Sequence, residues 1–178
     1  MCGICGIVDY SNSAIDQAEL VDIRDSMIHR GPDSSGIYSD KNVGLGHRRL
    51  SIIDLSDAAT QPLKNEDGTV WAICNGEIYN YIELRKDLQK KGYRFKSQTD
   101  TEVIVHLVTD YLKKNNLKNT IIKVLKKLHG SFALGIIFKY QPDLIVGARR
   151  GSPLAVGYGP NEHYLGSDSY ALKSMTNK

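Results

Sequence analysis

Met1-Cys2-Gly3-Ile4-Cys5-Gly6-Ile7-Val8 opens the chain. Residues 2–8 are short, apolar and glycine-punctuated, the pattern of a buried strand. A cysteine directly after the initiator methionine is small enough for that methionine to be removed. Removal leaves Cys2 with a free α-amine of ordinary pKa about 7.7–8.0, beside a thiol of about 8.5. One residue then carries a nucleophile and a general base, both tuned near neutral pH. Gly3 lets other backbone, or a substrate, come close. Taken alone, the same stretch also fits an ordinary start to a buried strand, so the decision rests on the segments downstream of it.

The 178 residues suit one domain with a sizeable core, and 41% hydrophobic with 24% charged residues is an ordinary soluble composition. The net charge is +3. Its densest basic cluster, Lys123, Lys126 and Lys127, falls in an amphipathic helical pattern and reads as a solvated face rather than a nucleic-acid patch. No apolar run approaches ~18 residues, so neither a transmembrane helix nor a signal-peptide core is expected. The expectation is a cytoplasmic protein with no nucleic-acid or membrane partner. Three cysteines are too few for a disulfide framework. Cys2-x-x-Cys5 has a metal or redox spelling, but no second Cys or His pair completes a four-ligand site. On a strand the two would point to opposite faces, about 10 Å apart. No metal is expected.

Outward from the opening, Asp16 to Ile28 reads as a helix with Leu20, Ile23 and Met27 on one face. His29-Arg30-Gly31-Pro32-Asp33-Ser34-Ser35-Gly36 reads as a loop, and 36–39 with 43–47 as a hairpin around Asp40 to Asn42. Arg48 and Arg49 then precede an apolar segment. They fit edge-strand charges, or a bidentate grip on a carboxylate. Residues 54–68 read as a loop and Val70 to Cys74 as a strand. That strand is expected to end at Asn75-Gly76-Glu77, a turn by composition. A side-chain amide beside a flexible backbone N–H is also what an oxyanion hole needs.

Asn80 to Lys91 reads as a helix with Ile82, Leu84 and Leu88 inward, and Tyr93 to Ser97 as a strand. A helix runs from Thr99 to about Lys114, with Asp100 as its N-cap or a first-turn acid. Leu117 to Leu128 is a further helix. Ser131 to Lys139 and Asp143 to Ala148 read as apolar strands around the turn Tyr140-Gln141-Pro142, with a loop over 149–153. Short strands at Val156 and at His163 to Leu165 precede a brief helix from Asp168. Strands, then helices, then strands predict an α+β fold with mainly antiparallel sheets.

Five segments together resemble one family. They are Met-Cys-Gly-Ile at 1–4, His-Arg-Gly-Pro-Asp-Ser-Ser-Gly at 29–36, Gly-His-Arg-Arg-Leu-Ser-Ile-Ile-Asp-Leu-Ser at 46–56, Asn-Gly-Glu-Ile-Tyr-Asn-Tyr at 75–81 and Thr-Asp-Thr-Glu-Val-Ile at 99–104. The chain resembles the glutaminase domain of class II glutamine amidotransferases, and these segments look most like the asparagine synthetase branch. From about His106 the likeness shifts. His-Leu-Val at 106–108, His-Gly-Ser-Phe-Ala-Leu at 129–134, Ala-Arg-Arg-Gly-Ser-Pro-Leu at 148–154 and Ser-Asp-x-x-Ala-Leu at 167–172 are more similar to glutamine–fructose-6-phosphate amidotransferases.

The resemblance implies an N-terminal-nucleophile hydrolase fold, an αββα sandwich of two mainly antiparallel sheets flanked by helices. It implies that 1–178 is one such domain, lacking its final C-terminal segment and carrying neither a synthetase nor a sugar-isomerase domain. Residue by residue, it implies that Cys2 attacks the side-chain amide of L-glutamine and that Asn75 and Gly76 hold the oxyanion. Arg49 would clamp the α-carboxylate, and Glu77 and Asp100 the α-ammonium. Leu50, Ser51, Ile52 and Ile53 would line the pocket, and Arg30 and Asp33 would organise it. No cofactor is implied, and the ammonia would pass to a synthase domain or subunit outside this chain. The favoured acceptor chemistry is asparagine-synthetase-like, with glucosamine-6-phosphate synthase as the alternative. Two rivals remain: a catalytically silent glutamine-binding module, and a cysteine hydrolase of another amide pairing Cys2 with His47 or His106.

Overall fold

The computed structural model describes residues 1–11 and 13–176. Strand β1 (Gly3–Asp9) is buried along its whole length. Its side chains alternate between two cores. Cys5 and Ile7 pack with Leu20, Ile23 and Met27 of the first helical segment, while Ile4 and Val8 pack with Ile73, Ala133 and Ile137. A strand apolar on both faces belongs in the middle of a covered sheet. β1 accordingly pairs antiparallel with β3 (Val43–Arg49) on one side and β9 (Glu162–Gly166) on the other. With β2 (Ser34–Asp40) and β8 (Ala155–Tyr158) at its edges, the first sheet runs β2-β3-β1-β9-β8.

The second sheet runs β4-β5-β6-β7, from β4 (Leu63–Lys64), β5 (Val70–Ile78), β6 (Gly130–Phe138) and β7 (Gln141–Arg150), with every pairing antiparallel. Helices α2 (Tyr81–Lys90), α3 (Glu102–Leu112) and α4 (Leu117–Lys127) cover its outer face in one apolar core. Helices α1 (Gln17–Ser26) and α5 (Ser169–Leu172) cover the first sheet. This is the four-layer αββα sandwich expected of the family resembled. Asp16, Asn116 and Asp168 start α1, α4 and α5, each accepting an N–H of the first turn. Among the described residues no helix is long and apolar enough to cross a membrane.

Several local expectations are corrected. Asn75-Gly76-Glu77 is not a turn: β5 continues through it to Ile78, paired with Gly130–Ala133 of β6. Turn-forming composition is overridden here by a long antiparallel partner. Gly76 keeps the strand in register at φ +133, where an added Cβ would lie 2.1 Å from the Ser131 carbonyl oxygen. Tyr93 to Ser97 is not a strand. The Lys96 and Ser97 N–H groups donate to the Glu102 carboxylate at 2.8 and 2.9 Å, and Arg94 N–H to Glu66 at 3.0 Å. Side chains thus take the bonds a neighbouring strand would have made. Ile82 is half exposed, leaving Leu84 and Leu88 to bury α2. Arg149 and Arg150 belong to β7, and the hairpin before it turns at Lys139 and Tyr140. Arg48 and Arg49 lie in an interior strand and are buried, so the edge-charge reading fails.

Candidate active site

A cleft of about 250 Å³ opens where the start of β1, the end of β5 and the start of α3 converge. Cys2, Arg49, Leu50, Ile52, Ile53, Asn75, Gly76, Glu77 and Asp100 all line it. Of the residues expected to act on substrate or line its pocket, Ser51 does not. Its N–H turns away to the Asp33 carboxylate at 2.7 Å.

Cys2 is anchored from two directions. Its carbonyl accepts from Arg30 Nε at 3.1 Å, and Arg30 reaches on to Asp168 at 3.0 Å. Further along the strand, Ile4 N–H donates to Ser167 Oγ at 2.8 Å. The Cys2 Sγ sits 3.4 Å from the Leu50 N–H. Burial pushes the thiol pKa up, opposed by that N–H, by the positive N-terminus and by Arg49. Cys5 belongs to a different environment: it packs beneath α1, and burial raises it to about 12. The spelling Cys2-x-x-Cys5 therefore divides into one cleft thiol and one core thiol.

Asn75 shares strand parity with Trp71 and Ile73, which face the space between the sheets. It is 0% exposed, yet neither its amide oxygen nor its nitrogen has a hydrogen-bond partner among the described residues. A buried amide without partners is uncommon and costly. Arg49 is buried too, its guanidinium donating to the carbonyls of Asp54 and Ser56, so that the 50–56 loop wraps around it.

Asp100 does not cap α3. Its carboxylate turns back to accept Ile78 N–H at 2.7 Å and the hydroxyls of Thr99 and Thr101. Burial raises its pKa, and those donors oppose the rise. Glu77 stays exposed at the rim. Arg49 and three acidic residues, Asp54, Glu77 and Asp100, thus line one cleft with a thiol and a bare amide.

Neither histidine offered as a general base reaches the cleft. His47 is wholly buried with Nε2 on the Cys74 carbonyl at 3.3 Å, and burial drives its pKa down to about 3. His106 lies in α3 against Tyr93 and Phe95, 3.6 Å from Glu102. The sequence reading missed other lining residues: Gln61, Cys74, Thr101, Ser131 and Ser152. Only Gln61-Pro62 carried a signal, since a proline just ahead of a strand announces a ladder short of a donor.

A family model described as a glutamine amidotransferase domain matches residues 1–178. The chain is 40% identical over 206 aligned positions to a glutamine–fructose-6-phosphate aminotransferase (isomerizing) of Mesorhizobium japonicum, with 99% of this chain and 33% of that protein covered. It is 44% identical over 152 positions to asparagine synthetase (glutamine-hydrolyzing) 1 of Bacillus subtilis, covering 84% of this chain and 22% of that one. The chain thus spans about a third of the length of the curated relatives it matches first. Among solved structures, the glutamine phosphoribosylpyrophosphate amidotransferase of B. subtilis superposes with a TM-score of 0.79 over 97% of this chain and 43% of that one, at 22% identity, a likeness of fold. Matched along its whole length and folded in the same four layers, the chain belongs to the glutamine amidotransferase domain family.

Proposed function

We propose that this domain hydrolyses L-glutamine to L-glutamate and ammonia with Cys2 as nucleophile. The observation that carries the reading is the buried, unpartnered Asn75 amide in the same cleft as the Cys2 thiol, Arg49 and Asp100. A donor held bare beside a nucleophile suits charge that exists only during reaction.

With Met1 removed, the Cys2 α-amine takes the thiol proton through a water, and Sγ attacks Cδ of glutamine. The carbonyl oxygen becomes an oxyanion held by Asn75 Nδ2 and the Gly76 N–H. Alternation along β5 supports the second donor. Cys74 and Ile78 N–H groups point away from β6 to side chains, and Gly76 lies between them with the same parity. The intermediate collapses, the C–N bond breaks, and the protonated amine of Cys2 gives its proton to departing ammonia. Water then cleaves the γ-glutamyl thioester by the same path in reverse. Arg49 pairs the α-carboxylate, and Asp100 with Glu77 the α-ammonium. Leu50, Ile52 and Ile53 line the pocket, and Ser51 acts through Asp33 rather than on substrate. This half-reaction needs no metal or cofactor.

The ammonia passes to a synthase domain or subunit outside these residues. An asparagine-synthetase-like acceptor is favoured by the higher identity of the synthetase match, and a hexosamine-phosphate acceptor by the fuller coverage of the aminotransferase match.

Intact-mass measurement with and without 6-diazo-5-oxonorleucine, alongside a glutaminase assay, tests the reading. The chain lacking Met1 should be labelled once, on Cys2, and should release ammonia and glutamate. The chain retaining Met1, which sits exposed in the cleft, should do neither. Labelling at Cys5 or Cys74 with full loss of activity removes Cys2 from its role. In the same assay, supplying aspartate with ATP, or fructose 6-phosphate, should yield no amidated product from these residues alone.

A further inference from the structure

β5 loses its neighbour before it reaches the cleft. β4 pairs with it only at Leu63↔Ala72 and Lys64↔Trp71. The next residue back is Pro62, which has no N–H for a ladder. Extending the register sets residue 61 opposite Cys74, and there a side chain replaces the strand: Cys74 N–H donates to Gln61 Oε1 at 2.6 Å. The N–H and C=O of one strand residue point to the same side. The Cys74 carbonyl is met likewise, by His47 Nε2 at 3.3 Å. A carbonyl only accepts, so His47 carries its proton on Nε2.

The other end of Gln61 points to the opposite wall of the cleft. Its Nε2 donates to Thr101 Oγ1 at 3.3 Å, and that hydroxyl lies 3.4 Å from Asp100 Oδ1. Asp100 Oδ2 in turn accepts Ile78 N–H. The circuit runs from the Cys74 N–H, through Gln61 and Thr101, to Asp100, and back to β5 at Ile78. Gln61 is buried, with both ends of its amide committed to protein atoms. It therefore acts through its partners.

We propose that Gln61 is a positioning residue that fixes the separation between the oxyanion donors on β5 and the Asp100 carboxylate, and so matches the cleft to the length of glutamine. The proposal rests on the glutamine-hydrolysing reading above. Without Gln61, Cys74 N–H is left bare and Asp100 keeps only its direct bond to Ile78 N–H, so the two ends of the substrate are held to one frame at a single point instead of two.

The test is steady-state hydrolysis of glutamine by wild type, Gln61→Met and Gln61→Glu, with labelling by 6-diazo-5-oxonorleucine as the check on an intact nucleophile. Gln61→Met should lose about tenfold or more in kcat, the cost of one unmet buried group, while Cys2 remains labelled. Gln61→Glu keeps an acceptor for Cys74 N–H but sets a carboxylate near Asp100. It should hold kcat within about threefold and raise KM about tenfold. If Gln61→Met does not fold, the Glu variant decides, because a kcat loss with unchanged KM contradicts the assignment. Wild-type turnover with Gln61→Met indistinguishable from it overturns this proposal alone. A wild-type chain neither labelled nor active overturns the glutaminase reading and this proposal together.

Discussion

Asn75 and Arg49 are both buried in one cleft, yet their replacement should read out differently. In the proposed mechanism Asn75 bonds strongly only once the oxyanion forms, so Asn75→Ala should lower kcat by about 10²–10³ with a smaller change in KM. On the same proposal, Arg49→Ala and Asp100→Ala remove partners of charges that glutamine carries throughout, and should mainly raise KM, by about 2–5 kcal/mol of binding. Steady-state kinetics separates the two classes, and an Asn75→Ala enzyme altered in KM alone would contradict the oxyanion role. These residues were legible because their types suit the charges on one small molecule. Gln61 was not, because its proposed role comes from standing opposite Cys74, which only the premature end of β4 arranges. Ser51 misled for a related reason: its N–H goes to Asp33, while Leu50, Ile52 and Ile53 line the cleft.

At the scale of elements, β5 and β3 meet through His47, and that contact has a pH signature. Burial holds the folded pKa of His47 near 3 against an ordinary 6.5, opposed only partly by the Cys74 carbonyl. The unfolded chain therefore binds a proton that the folded chain refuses. Stability is full above about pH 6.5 and falls as pH drops towards 3, by up to about 1.4 kcal/mol per pH unit. Glu102 acts in a lower window. Burial raises its pKa, but the His106 ring 3.6 Å away, with bonds from the Ser97 hydroxyl and the Lys96 and Ser97 N–H groups, outweighs that and holds it at about 2. Its contribution is present above the ordinary glutamate value of about 4.5 and is lost as pH falls from there towards 2. Urea midpoints between pH 7 and 5 should fall for wild type and flatten for His47→Gln, which still donates to Cys74 without titrating. An unchanged slope would place the acid sensitivity elsewhere. The same carboxylate explains a missed element. Nothing in Tyr93 to Ser97 reveals that Glu102, at the start of the next helix, has taken its N–H groups.

The whole molecule was the most legible level. Two-faced apolar strands at both ends of the chain, with amphipathic helices between them, leave few ways to bury every face other than two stacked sheets with helices outside. Illegible was how short an element can be and still matter: β4 has two residues, yet it sets the edge from which the cleft opens. The bare amide of Asn75 also bears on the energetics of the entire fold. A fully buried polar group with no protein partner costs about 1–3 kcal/mol, so Asn75 holds the domain below the stability its packing permits. Asn75→Leu, apolar and branched like the amide, should raise the melting temperature by a few degrees while removing most turnover. Glutamine should raise the melting temperature of a Cys2→Ser domain, and raise it less in the Asn75→Leu background. The site would then be a local weakness that selection maintains, and the more heat-stable protein would be the less active one.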